Sequence, residues 1–214
     1  MSPGDFDTCF RKWTAAACAD WKWPEPSDDY FRRAYERLPN GLQALIAHGV
    51  ASGLIIQLGR QFTLRGLAPK KGPYAWFSRH MEASGPSPNW EYFVQVAEFV
   101  RLCTLAARSN LTVTFEDHLM DLALYDGQRL LVCVEVKERT AQLQDLMKGL
   151  RTYQAAVNLS EADRGNDPLR KAKYLVRRKP MYFCGVAIGT RIEYSVLYPE
   201  GKAFELVRDV IPWV

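Results

Sequence analysis

Asp121, Glu135 and Lys137 are the residues whose types and spacing can do chemistry. They close the two ends of the stretch Asp121-Leu-Ala-Leu-Tyr-Asp-Gly-Gln-Arg-Leu-Leu-Val-Cys-Val-Glu135-Val-Lys137, which reads as a β-hairpin. Side chains alternate along a strand, so an acid and a lysine two apart point to the same face. Neither belongs in a run as apolar as Leu130 to Val136 unless the site needs charge. The turn Tyr125-Asp126-Gly127-Gln128 decides whether Asp121 joins them. With a two-residue loop Asp121 stands opposite Val132 and faces away. With a three-residue loop, Gly127 supplying a positive φ, it stands opposite Cys133 and shares the face of Glu135 and Lys137. The three-residue loop is the expected one. Two carboxylates and an ammonium on one patch then suit a hard cation such as Mg²⁺, which takes one or two carboxylates and keeps positions for water and phosphate oxygens.

This arrangement resembles the PD-(D/E)xK nuclease superfamily, whose pattern is an acid on one strand and an acid-x-lysine on the next. Asp121 and the Glu135-Val136-Lys137 triplet match it, as does the hairpin between them; Met120 stands where the family carries a proline. The resemblance covers roughly residues 88 to 190, in the order helix, strand, hairpin, motif, helix, strand. It implies a restriction-endonuclease-like core, a central mixed sheet flanked by helices. It also implies Mg²⁺, with Mn²⁺ able to substitute, held by Asp121 and Glu135, and Lys137 as a catalytic cation.

The elements around the motif must position it. Trp90 to Arg108 reads as a helix apolar nearly all round, hence buried, with Glu91, Gln95 and Glu98 as its polar stripe. A stripe of this kind is in general a solvent face; the family resemblance implies instead that one glutamate completes the metal site, and the distance to the strand Leu111 to Phe115 favours Glu98 over Glu91. Glu116 and His118 lie at the turn before Asp121, where a histidine is ordinarily solvated. Arg139 to Asn158 forms a second helix, with Leu143, Leu146, Met147, Leu150 and Tyr153 along one face. Gln142 is on its first turn, where polar residues of the superfamily support the site or touch a nucleic-acid backbone. Leu146 follows at the spacing where the RecB-like exonuclease branch carries tyrosine, which disfavours that branch. Met181 to Ile188 reads as a central strand, and Ile192 to Tyr198 with Ala203 to Val207 as a closing hairpin.

The net charge of +4 is modest, but it is unevenly spread. From Arg60 to His80 there are five bases, Arg60, Arg65, Lys70, Lys71 and Arg79, and no acid. From Leu169 to Lys179 there are six, Arg170, Lys171, Lys173, Arg177, Arg178 and Lys179, again with no acid. Such clusters suit a phosphate backbone, and DNA is the expected partner, with Gln142 and the bases other than Arg79 as its contacts.

The N-terminal part reads as three helices, Phe6 to Asp20, Ser27 to Leu38 and Gly41 to Ala51, then a hairpin around Gly59-Arg60. That order resembles a winged helix, although Gly41 to Ala51 holds no Lys or Arg; a helical packing or dimerisation module is the other reading. The expected organisation is a helical domain over 1–66, a Gly-, Pro- and Lys-rich linker over 67–88 and a nuclease-like domain over 89–214. Tyr74, Trp76 and Phe77 in the linker dock on a domain or stack on a base.

At 214 residues and 48% hydrophobic, the chain can bury one full core and a smaller second one. No stretch reads as a membrane span or signal peptide, and Cys9, Cys18, Cys103, Cys133 and Cys184 lack paired metal spacing and read as free thiols of a reducing cytosol. The expected protein is a cytoplasmic or nucleoid-associated, Mg²⁺-dependent DNA endonuclease, acting as a homodimer or as a subunit of a larger nucleoprotein complex. Two rivals stand beside it: a catalytically silent DNA-binding or assembly subunit of the same fold, and a winged-helix transcriptional regulator with a ligand-sensing C-terminal domain.

Overall fold

The computed structural model describes residues 3–67, 71–82, 84–107 and 109–212. The chain is mixed α/β and divides into two compact units, Met1–Val100 and Arg101–Val214.

In the first unit, helices α1 (Pro3–Trp21), α2 (Asp28–Arg37) and α3 (Asn40–Ala51) precede β1 (Ile55–Leu58), β2 (Gln61–Leu64) and β3 (Tyr74–Ala75), which form an antiparallel sheet in the order β1-β2-β3. Phe6, Phe10 and Trp13 recur at helical spacing on α1 and are buried. Residues 67–88 are not a bare linker. They carry β3 and the hairpin β4 (Phe77–Glu82) and β5 (Gly85–Pro88), because their aromatic rings bury more apolar surface than a linker can expose. Trp76 is fully buried, with ring centroids 4.5 Å from Trp13 and 4.0 Å from Phe62. The Tyr30 hydroxyl donates to the Pro86 carbonyl at 2.7 Å, an approach that needs glycine at 85, where a Cβ would lie 2.5 Å from the Tyr30 ring. Helix α4 (Trp90–Ala106) follows, and the division between the units falls within it.

The second unit is built on a six-stranded sheet in the order β11-β10-β9-β8-β7-β6, with β6 (Leu111–Asp117), β7 (Met120–Asp126), β8 (Arg129–Val136), β9 (Tyr182–Ala187), β10 (Thr190–Leu197) and β11 (Glu205–Arg208). Every pairing is antiparallel except β8 with β9. Helices α5 (Thr140–Thr152) and α6 (Asp167–Arg178) lie between those two strands in the chain, as a parallel crossover requires. The central position of β8 explains its composition, since Leu130 through Val136 are all buried. Leu143, Leu146, Met147 and Leu150 of α5 and Ala172 and Leu175 of α6 pack with Ala123, Cys133 and Phe183 of the sheet.

All five cysteines are free thiols, with Cys18, Cys133 and Cys184 buried. Among the described residues no helix is long and apolar enough to cross a membrane.

Candidate functional site

The β7–β8 hairpin brings Asp121 and Glu135 to one level by a route the sequence does not disclose. The loop has two residues, not three: Asp126 pairs with Arg129, and Gly127 takes the positive φ, 57°. A two-residue loop alone would turn Asp121 away from Glu135. A β-bulge restores the parity: Tyr125 pairs with Leu130 but Leu124 with Val132, so that Leu131 is the extra residue. The register then runs Ala123 with Cys133 and Leu122 with Val134, which carries Asp121 to the level of Glu135, not of Cys133, on the same face of the sheet. Asp121 Oδ2 accepts a 2.6 Å hydrogen bond from the Val136 N–H, fixing the carboxylate across the strand pair.

Glu135 is 1% exposed. Its Oε1 accepts from Lys137 Nζ at 2.8 Å, and its Oε2 lies 2.5 Å from Lys171 Nζ. The second contact is an ion pair without hydrogen-bond geometry, for Oε2 has no directed donor, and Lys171 donates instead to the Leu119 carbonyl. Asp167 stands at the outer side of both cations, 3.5 Å from Lys137 and 4.0 Å from Lys171. Burial, and next the charge of Asp121, push the Glu135 carboxyl up to about 7, against the opposing pull of Lys171 and Lys137.

That shift sets an expected pH dependence of stability. The folded-state value of about 7 lies above the ordinary 4.5, so between those values the folded state holds a proton that the unfolded state has released. The contribution of Glu135 is therefore full below about pH 4.5 and is lost as pH rises through about 7, a change on the order of 3 kcal/mol. Urea unfolding in EDTA across this range, wild type against Glu135→Gln, isolates it: the difference between the two should vary with pH in that window and be flat above it. A pH-independent difference would contradict the environment described.

Lys171 and Asp167 are site residues that the charge pattern conceals. The charge pattern predicts Lys171 on a phosphate-binding surface with Lys173; both are buried, 7% and 3% exposed. Lys173 binds the Glu161 carbonyl and Asp163, so neither ammonium is presented to a nucleic-acid backbone. The signal available was the spacing of Asp167 and Lys171, one helical turn apart.

Glu98 is 1% exposed on α4, and Glu91 is half-buried in its first turn. Gln142 uses its side-chain oxygen to accept from the Arg139 N–H at 3.0 Å, a helix-start contact rather than a free donor set. Arg60 pairs with Asp20 at 2.8 Å and covers the Trp21 ring, and Arg65 donates to the Ser52 carbonyl. Lys71 is half-buried, and Lys70 lies outside the described residues. Arg170, Arg177, Arg178 and Lys179 are exposed.

Asp121 and Glu135 fit a hard divalent cation in donor chemistry: their mutual repulsion helps to raise the Glu135 carboxyl, and a cation would relieve it. Among the described residues no group of three or more His, Cys, Asp or Glu side chains is arranged to hold a metal ion. Comparison of the chain with protein-family models, curated proteins and solved structures gave no match.

Proposed function

We propose that the chain is a metal-dependent nuclease of restriction-endonuclease-like type that hydrolyses DNA phosphodiester bonds. The observation that carries this reading is the placement of Asp121 and Glu135 on adjoining strands, with both carboxylates at one level and Lys137 directly after the second strand. Asp121 and Glu135 would hold Mg²⁺, which when bound polarises the phosphate and lowers the pKa of a water. Lys137, whose side chain is 19% exposed against 9% for that of Lys171, is the ammonium with access to solvent, and it orients the attacking water or offsets charge on the phosphorane. Lys171 holds Glu135 from the opposite side and acts through it. Glu98 enters as a further site acid on sequence order alone. The winged-helix likeness of the first unit rests on its order of three helices and a hairpin, and DNA and a second copy of the chain remain the proposed partners.

The exposed part of the second basic stretch supplies backbone affinity. Arg177→Glu with Arg178→Glu should weaken binding to all duplex sequences alike and flatten the salt dependence, since phosphate contacts carry no base information. Fluorescence-anisotropy titrations at several salt concentrations read both effects; binding unchanged at low salt would remove this stretch from the interface.

One observation favours a second reading, a catalytically silent member of the fold. Two ammonium groups already neutralise Glu135, as they would in a site kept for structure. The readings separate on cleavage in Mg²⁺, which a silent subunit lacks whatever it binds.

A further inference from the structure

Between the C-terminal part of α6 and the β6–β7 turn lies a half-open cavity of about 370 Å³ lined by His118, Leu119, Tyr174, Arg177 and Arg178. A second recess, beside Tyr125 and Gly127, shares both arginines. Neither arginine has a carboxylate partner among the described residues. Arg177 makes one hydrogen bond, to the Leu159 carbonyl at 3.3 Å, and Arg178 donates to the Tyr125 hydroxyl at 2.8 Å. Asp117 is buried and accepts from two hydroxyls, Tyr125 at 2.6 Å and Tyr174 at 2.8 Å. Two guanidinium forks thus face a recess with no direct carboxylate partner among the described residues.

His118 adds a second, independent sign. It is one of the two residues of the β6–β7 turn and has a φ of 57°, in the left-handed region that favours glycine. An exposed imidazole is therefore kept at the cavity against a backbone cost of order 1 kcal/mol. Leu119, half-buried, and Tyr174, 3% exposed, give the recess an apolar lining.

We infer that this cavity binds a nucleoside monophosphate, the phosphate on Arg177, Arg178 and His118 and the base against Tyr174 and Leu119. A phosphomonoester matches the two unneutralised forks in charge and geometry better than a single carboxylate does. The ligand is either a free nucleotide or the phosphorylated end of a strand. The cavity adjoins the carboxylates, since the Leu119 carbonyl accepts from Lys171, the partner of Glu135. Binding does not require the nuclease reading, so the two can fail separately.

Calorimetric titration of the full chain in EDTA with adenosine 5′-monophosphate and with adenosine tests the inference. Saturable binding of the monophosphate but not of the nucleoside is expected, weakened roughly tenfold or more in Arg177→Gln, as loss of a charge-assisted contact requires. His118→Gly should weaken it as well while leaving the melting temperature unchanged or raised, because glycine relieves the turn. A role for the arginines confined to the helix C-terminus would alter melting and leave binding alone. A 5′-phosphorylated oligonucleotide that displaces the monophosphate better than its 5′-hydroxyl counterpart identifies a strand end as the source; equal displacement identifies the free nucleotide. Absence of saturable binding, or wild-type affinity in both variants, overturns the inference.

Discussion

Asp121→Asn and Glu135→Gln should each lower Mg²⁺-dependent cleavage by roughly a thousandfold, about 4 kcal/mol of transition-state stabilisation, and leave DNA binding nearly intact. The separation follows from the proposed division of labour: the carboxylates would hold the metal that acts on the reacting phosphate, whereas affinity would come from the exposed bases on α6. The amide variants are the right ones. Glu135→Ala would strip a buried carboxylate from Lys137 and Lys171 and confound loss of chemistry with loss of fold. Glu98→Gln should share the loss of activity and Glu91→Gln should not. Single-turnover rates with electrophoretic binding assays on the same preparations measure both terms. Undiminished cleavage by the Asp121 or Glu135 variant would remove these carboxylates from the reaction.

The second large effect is on stability. Lys171→Met should cost about 3 kcal/mol in urea unfolding with EDTA present, the low end for breaking a buried ion pair, because Lys137 still faces Glu135. The doubly substituted protein, Lys171→Met with Glu135→Gln, should recover much of that loss, since the second change removes the charge the first leaves uncompensated. A Lys171→Met protein as stable as wild type, or strictly additive losses, would show that the pair does not hold the sheet and α6 together.

What the sequence disclosed and what it withheld divide on physical grounds. The apolar period of α1, α4 and α5 and the unbroken apolar run of β8 are properties of single elements, and each is legible where it stands. The sharing of a face by Asp121 and Glu135 is also what strand alternation suggests, but a two-residue turn with a bulge delivers it, not a three-residue turn. The bulge at Leu131 leaves no mark on composition, because any apolar residue suits a position between Leu130 and Val132. Helix α6 was hidden for the opposite reason. Its buried stripe includes Lys171 and Lys173, whose charges read as solvated surface until Glu135 and Asp163 are known to face them. The stretch 67–88 misled through glycine and proline, while Trp76 and Phe77 were bound for the core of the first unit.

The most direct test of the proposed chemistry is incubation of the purified chain with labelled duplex, junction and single-stranded DNA, in Mg²⁺ and in EDTA, with Glu135→Gln in parallel. Cleavage of at least one substrate in Mg²⁺, absent in EDTA and absent with Glu135→Gln, is the expected result. No cleavage of any substrate, or cleavage that persists in EDTA or in the Glu135→Gln protein, would contradict a metal-dependent nuclease built on Asp121, Glu135 and Lys137.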